Sequence, residues 1–479
     1  MSNRLFAGAA RVVINPPLGI KRPGIRIFRD PIQAIESDLT ATAVVLSNGP
    51  SSVALIAVDL LFMSMPAITA LRGRIADALG TPRSHVLVNF SHTHGGPTFP
   101  DFIDDTPEQI DLQRRYQTLV EERFVAVAVE AQKRLQPARI GAGRGECHIG
   151  IYRRAKTEAG RDVLGEVPEA PIDPSVGVIR VDDLEGQPIA TLFSYGCHPV
   201  TVGPRALVAS SDFPGAARRV VETSLGGLSL FLQACAGNIN PVWGLGYEVD
   251  CRDTKNRTGM MLGGEVIQVA AQIRTHVRRG PKTPIGPIAN ILLWPWVPVA
   301  GDTCSHLSAA EEVVQLELGP LPSLEHALAI QEKWNRKWSD DLARGARDWD
   351  LNYSARFVHW SRKLVQAVKD GHPTLDVVIQ GIRVNDIAIC GIGVESFFET
   401  GLALKARSGF AHTEVLGYTN GCAAYLPRAE DYPPGGWDID EQYAVPDLFF
   451  QSYSLPVALR TDSEQRVVTR AAAVLQRLA

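Results

Sequence analysis

The chain has 479 residues, 45% hydrophobic, 21% charged and 7% aromatic, with 48 Lys and Arg against 52 Asp and Glu. This composition belongs to a folded globular protein and excludes disorder, collagen and coiled coil; the length allows one large domain or several of about 100–200 residues. A net charge of −4 without a basic block argues against a nucleic-acid partner.

The N-terminus, MSNRLFAGAARVVINPPLG, lacks the apolar run of a secretory signal. Runs rich in Val, Ile and Ala then recur as strand candidates: ATAVVLS, SSVALIAVDLLFM and HVLVNFSHTH. Thr106-Pro107-Glu108-Gln109 forms a capping box with Pro at the first helical position, followed at helical spacing by Leu112, Tyr116, Leu119, Phe124 and Val127. Further strand runs are VGVIRV, PIATLFSYGCH and LSLFLQACAG. The Pro- and Gly-rich stretch from Arg278 to Asp302 is the best candidate for a domain boundary, and its apolar core, Ile291 to Ala300, is far short of the roughly 20 residues of a membrane helix. Leu324, Leu328, Gln331, Trp334, Trp338 and Leu342 outline an amphipathic helix. LDVVIQGIRVNDIAICGIG resumes the strand pattern, and Thr461-Asp462-Ser463-Glu464 caps a last helix.

This alternation predicts an α/β or mixed α+β body. Because strands resume after the helical segment, the expectation is one domain over 1–479 with a helical insertion around 303–369, two separable domains being the alternative. The seven cysteines (Cys147, Cys197, Cys235, Cys251, Cys304, Cys390 and Cys422) contain no C-x-x-C pair and read as buried thiols of a reducing compartment. A cytoplasmic protein without a membrane anchor is expected.

Polar residues that close apolar runs are the candidates for chemistry. Ser91-His92-Thr93-His94-Gly95-Gly96-Pro97 ends the run HVLVNF. Residues two apart in a strand share a face, so His92 and His94 are expected to converge at the mouth of a sheet. Paired imidazoles there suit zinc, and the glycines permit close approach; two histidines satisfied by local hydrogen bonds is the alternative. His198 ends a second run, before Ser210-Ser211-Asp212, where either serine could cap a helix starting near Ala216.

Ala236-Gly237-Asn238-Ile239-Asn240-Pro241 follows a third run, as a turn able to present N–H donors to an oxyanion or as a turn alone. Glu395 lies behind a buried run, where a carboxylate is costly unless paired or bound to metal. Tyr425 precedes a loop holding Tyr432 and Trp437. That loop, with Trp294 and Trp296, either lines a pocket for a hydrophobic ligand or is core and turn.

Taken in order, these five segments resemble the catalytic domain of the neutral/alkaline (non-lysosomal) ceramidase family, in scattered motifs over nearly the whole chain. The resemblance implies a ceramidase-like β-sheet core with helices. It also implies a zinc ion (Zn2+) on two histidines, a glutamate and a tyrosine, which fall on His92, His198, Glu395 and Tyr425. His94 then becomes a catalytic neighbour instead of a ligand, and a substrate-contacting arginine falls on Arg153, with Arg154 as its rival. The family's A-G-D-x-S-P segment differs here: its serine is replaced by Asn240, whose amide can still donate to a carbonyl or oxyanion. The family's C-terminal immunoglobulin-like domain is not expected here, where one capped helix follows Tyr425.

The expected function is a zinc-dependent hydrolase that cleaves a C–N amide bond of a small molecule with metal-activated water. Arg153 would anchor the substrate, and Asn240 with the Gly237 turn would form the oxyanion pocket. A lactonase or esterase using the same site, and a catalytically degenerate metal-stabilised binding protein, are the alternatives. The expected partner is a small-molecule amide or lactone, and the near-neutral charge permits a homo-oligomer.

Overall fold

The apolar runs become buried strands, which assemble into three main sheets in a computed structural model. It describes residues 4–21, 30–97, 99, 106–158, 162–203, 205–243, 252–284, 291–300, 306–371, 374–432, 453 and 455–479. In the first sheet, β1 (Phe6–Val13), β2 (Thr40–Ser47) and β3 (Ser52–Val58) are antiparallel neighbours. β3 then pairs parallel with an edge strand, β4 (Val86–Phe90), after crossing over through α1 (Met65–Leu79). Helix α2 (Pro107–Lys133) covers the same face as α1.

The second sheet repeats this arrangement. β5 (Arg139–Glu146) lies beside β7 (Ser175–Asp182), which pairs antiparallel with β8 (Pro188–Tyr195). β8 crosses through α3 (Asp212–Leu225) to the parallel β9 (Leu228–Gln233), and α4 (Arg252–Gln272) packs beside α3. Between β5 and β7, β6 (Gly150–Lys156) leaves to pair with β10 (Ile239–Pro241).

In the third sheet, β13 (Leu307–Glu317), β14 (Thr374–Val384) and β15 (Ile387–Ile392) run antiparallel. β15 reaches the parallel β17 (His412–Leu416) through α7 (Phe398–Arg407). On the way lies β16 (Glu395–Ser396), which pairs with β18 (Tyr425–Leu426). Helix α8 (Ser463–Leu478) closes the outer face of this sheet.

All three sheets meet in one apolar cluster. Leu46 and Leu55 come from the first sheet, Val181 and Leu232 from the second, and Ile382 and Ile389 from the third. With one face on this shared core and the other under helices, the strands read as continuous apolar runs instead of alternating ones. Each parallel pair requires a crossover, and in such units side chains that meet ligands stand beyond the C-terminal ends of the strands. The fold therefore brings together the residues after β4, β8 and β15.

Several expectations change in detail. Thr106 does cap α2 by accepting from the Gln109 N–H, and Tyr116, Phe124 and Val127 are buried, but Leu119 faces solvent. The amphipathic helix is α5 (Leu324–Ala343), paired with α6 (Asp348–Asp370). Its buried face is Ala327, Ile330 and Trp334, while Leu324, Leu328 and Leu342 are exposed, because its partner helix lies on the neighbouring stripe. The segment around 303–369 is not helical throughout, since β13 occupies its first part and pairs along its length with β14.

The helix after Ser210 and Ser211 starts at Asp212, four residues before Ala216. The stretch around 278–302 is not a linker in its described part but a hairpin, β11 (Val277–Arg279) against β12 (Trp296–Pro298). Asp462 occupies the N-cap of α8 without a side-chain bond. No helix among the described residues is long and apolar enough to cross a membrane.

Five cysteines are described, all free and buried, while Cys251 and Cys304 lie outside the described residues. Burial pushes the thiols of Cys147 and Cys235 up to about 11 and that of Cys390 to about 12. Thiolate is the reactive form, so these thiols are expected to resist iodoacetamide at pH 8 in the native protein and to react fully in guanidinium. Peptide mapping of the alkylated protein reads this directly, and rapid native labelling of Cys147, Cys235 or Cys390 would contradict the packing described.

Candidate metal centre

The loop after β4 places the first two histidines. β4 ends at Phe90, and His92 takes a left-handed conformation with φ of 61°, so its backbone is not a strand. His92 and His94 therefore converge by a loop bend and not by strand alternation, with ring centres 5.0 Å apart. The bend is held by backbone bonds from Ser91 to Val58 and from His92 to Leu60, at the end of the neighbouring β3. Gly95 is required here because a Cβ would stand 2.3 Å from the Ser210 carbonyl oxygen. Ser210 is thus the floor of this loop, accepting from the Thr93 hydroxyl and donating its N–H to Gly95.

His198 arrives from the end of β8. Its ring centre lies 5.0 Å from that of His92 and 5.7 Å from that of His94. The His94 N–H donates to the Pro199 carbonyl, which ties the two histidine loops together. One ring nitrogen of each of His92, His94 and His198 falls within 4.8 Å of the others, a spacing that can hold a metal ion.

Glu395 reaches the same point from β16. Its Oε1 lies 2.7 Å from His198 Nε2 and its Oε2 3.7 Å from His92 Nε2. The tautomers follow from the partners on the other side of each ring. His92 Nδ1 faces the Leu61 carbonyl at 3.0 Å, and His198 Nδ1 faces the Ala236 carbonyl at 2.7 Å. A carbonyl only accepts, so Nδ1 carries the proton in both rings and each Nε2 turns a lone pair toward the carboxylate.

Two lone pairs facing a carboxylate need a cation between them. Burial holds both histidines well below the ordinary imidazole value, and Arg153 adds to this at His198, so a proton is a poor candidate for that cation. His198 Nε2 is also buried without a hydrogen-bond partner among the described residues. Nitrogen donors beside a carboxylate suit a divalent metal of zinc type, and the residues present fit one.

Arg153 faces the centre and Arg154 does not. Arg153 Nη2 donates to Tyr425 Oη at 2.8 Å and to Glu395 Oε1 at 3.4 Å, while Nη1 donates to Asn240 Oδ1 at 3.1 Å. The same guanidinium grips the Gly237 carbonyl at 2.7 and 3.1 Å. Burial works against its charge, but Tyr425 and Glu395 outweigh burial and raise its pKa. Arg154 instead stacks 5.4 Å from the Phe397 ring centre and donates to the Asp431 carbonyl. Tyr425 stands opposite Glu395 in the β16–β18 pair, and burial raises its hydroxyl well above the ordinary phenol value despite Arg153.

The Gly237 turn plays a different part from the one expected of it. Its N–H is already given to the Ser396 carbonyl and its own carbonyl to Arg153, so it supplies no oxyanion donor. A Cβ at Gly237 would stand 2.8 Å from the Phe397 ring. With Asn240 Oδ1 taken by Arg153, the Asn240 group that can serve a substrate is its Nδ2.

Three further residues around the centre stand outside any sequence motif. Tyr418 stacks 4.2 Å from His92, and Tyr453 Oη donates to Glu395 Oε2 at 2.6 Å. Asn89 sits beneath the centre, wholly buried at the end of β4. Its Nδ2 donates to the Gly417 and Gln233 carbonyls, and its Oδ1 accepts from the Gln233 N–H. One side chain thus fastens the C-terminal ends of all three parallel pairs. An Asn inside an apolar strand run is disfavoured by β propensity, and that was the available signal.

Asn89→Ala strands the buried Gln233 and Gly417 groups and is expected to cost about 3 kcal/mol of stability. Denaturant unfolding checks this, and a loss under about 1 kcal/mol would mean the three ends are held otherwise. Trp294 and Trp296 do not line this centre but are exposed on the β11–β12 hairpin. Positions 433–437 of the expected Tyr432–Trp437 loop lie outside the described residues.

No protein-family model matches the chain. Neutral ceramidase A of Dictyostelium discoideum is 24% identical over 170 residues, covering 33% of this chain and 24% of that protein, well under two thirds of its length. Two solved structures match almost the whole chain. The neutral ceramidase of Pseudomonas aeruginosa aligns over 100% of this chain and 75% of its own, with a TM-score of 0.63 at 17% identity. A ceramidase complexed with C2 aligns over 99% and 76%, with a TM-score of 0.65 at 17% identity.

Proposed function

On this neutral-ceramidase-like fold, we propose that the chain is a zinc-dependent hydrolase of the C–N amide bond of a small molecule. The observation that carries the reading is the pair of buried imidazoles, each with Nδ1 fixed on a carbonyl and Nε2 aimed at the Glu395 carboxylate. In this reading His92, His198 and Glu395 hold the metal, with Tyr425 beside them. Zinc held there would polarise a carbonyl and lower the pKa of water toward about 7.

The rest of the work falls to the chain's own side chains. His94, with its ring 5.0 Å from His92 and 5.7 Å from His198, is the group that accepts the proton of the attacking water and delivers it to the scissile nitrogen, which leaves as the amine. Arg153 keeps Tyr425 Oη and the Glu395 carboxylate in place and sets positive charge beside the developing oxyanion. Asn240 offers Nδ2 to the substrate carbonyl, where a serine stands in the ceramidase motif. The five cysteines among the described residues, all free and buried, support a reducing, cytoplasmic setting.

The test is hydrolysis of matched N-acyl amides, lactams and lactones by the zinc-loaded protein, with and without a chelator. Amide turnover that the chelator abolishes and zinc restores is expected. Turnover of lactones alone would make the protein a lactonase on the same centre. No turnover of any class by zinc-loaded protein would leave a metal-stabilised binding protein.

A further inference from the structure

The β11–β12 hairpin concentrates large apolar side chains at the surface. Leu292, Leu293, Trp294 and Trp296 are 61%, 47%, 51% and 44% exposed. Leu292–Leu293 form a short strand against Thr283–Pro284, further along the same ribbon, and so point to opposite faces, which leaves the ribbon uncovered on both sides. Trp294 is fixed in position, since its indole N–H donates to the Gly280 carbonyl at 2.8 Å and Arg279 Nη1 donates to its carbonyl at 2.6 Å, while Trp296 is paired with Arg279 in the β11–β12 ladder.

Cations stand on these rings. Arg279 lies 4.0 Å from the Trp296 ring centre and 5.0 Å from that of Trp294. Arg274 lies 4.6 Å from Trp296, and Lys282 lies 5.4 Å from Trp294. From Arg274 to Ala300 the sequence holds four Lys or Arg and no Asp or Glu, in a chain whose total charge is −4. The segment is therefore a cationic, apolar ribbon on an acidic body.

We infer that this hairpin docks the protein onto an anionic phospholipid surface. Charge complementarity names the partner: Arg274, Arg278, Arg279 and Lys282 meet lipid phosphates, while Trp294, Trp296 and the leucines enter the boundary between headgroups and acyl chains. A second protein surface covers one face of a ribbon, whereas a lipid interface surrounds both. The guanidinium–indole stacks let the cations follow the rings into that layer without losing their partner. The inference stands apart from the proposed hydrolysis, because the metal-centre residues come from other strands.

The test is co-sedimentation of the full chain with vesicles of phosphatidylcholine, alone or with about 30 mol% phosphatidylserine. Binding to the mixed vesicles is expected, with loss in about 1 M salt, where the screening length is only about 3 Å. Trp294→Ser with Trp296→Ser should release the protein from the vesicles. Arg279→Gln with Lys282→Gln should weaken partitioning about 25-fold, at about five-fold per cation. Both double variants should keep the wild-type melting temperature, which separates lost docking from lost folding. Absence of wild-type binding, or equal binding by both variants, would overturn the inference. So would a wild-type dimer in sedimentation velocity that either variant dissociates, which would place a second copy of the chain on the hairpin.

Discussion

Glu395→Gln is expected to strip the protein of zinc and to lower kcat/KM by about 10³-fold, the several kcal/mol that a metal contributes to a developing oxyanion. The substitution keeps the shape of the side chain and removes only its charge. Glu395 is the one anionic group described between His92 and His198, and both imidazoles are held neutral by burial. Without the carboxylate, the centre presents a divalent ion with neutral nitrogens and the nearby positive charge of Arg153. The two effects should therefore appear together, in elemental analysis and in steady-state kinetics on the same preparation. A Glu395→Gln protein that keeps zinc and turns over normally would remove this carboxylate from the metal shell.

The second large effect is expected at Arg153. Its guanidinium is a fork whose positions are occupied by Gly237, Asn240, Tyr425 and Glu395. Arg153→Met leaves those acceptors without donors in a buried site, and stability should fall by about 3 kcal/mol. kcat should fall by about 10²-fold with a smaller change in KM, the pattern of an interaction made in the transition state. Arg153→Lys should recover part of the stability but little of kcat, because an ammonium cannot reproduce the planar fork. Arg154→Lys is the control, since Arg154 is turned toward Phe397 and Asp431, and it should behave almost as wild type. Equal losses in the Arg153→Lys and Arg154→Lys proteins would mean that the guanidinium acts only through general packing.

How much of this was legible in the sequence depends on whether the signal was local. The strand runs were legible because burial on both faces leaves long Val, Ile and Ala stretches that no helix periodicity explains. Their ends were legible too, since His92, His198 and Glu395 are polar residues where apolar runs stop, and the fold places all three beyond C-terminal strand ends. The reason His92 and His94 converge was not legible. Strand alternation was the available argument, whereas the structure uses a left-handed residue and a close contact between Gly95 and Ser210.

The role of the Gly237 turn was not legible for a related reason. Whether a backbone N–H is free depends on a neighbour 159 positions away, Ser396, which the local sequence cannot name. Tyr453 reaches Glu395 across a separation of 58 residues, with no motif around it. The α5 stripe shifted because α6 decides which face is covered, and the aromatics at 294 and 296 have the same composition whether buried or exposed. Pattern gave the elements, and long-range contacts gave their use.

The most direct test of the account is the metal content of the purified wild-type chain by elemental mass spectrometry, after dialysis against zinc and removal of excess. About one zinc per chain is expected, because His92, His94 and His198 form the one metal-capable histidine group found among the described residues and Glu395 stands against two of its rings. A protein that remains folded yet retains no zinc or other divalent metal would contradict the account, since the facing lone pairs of this centre would then be satisfied without a metal.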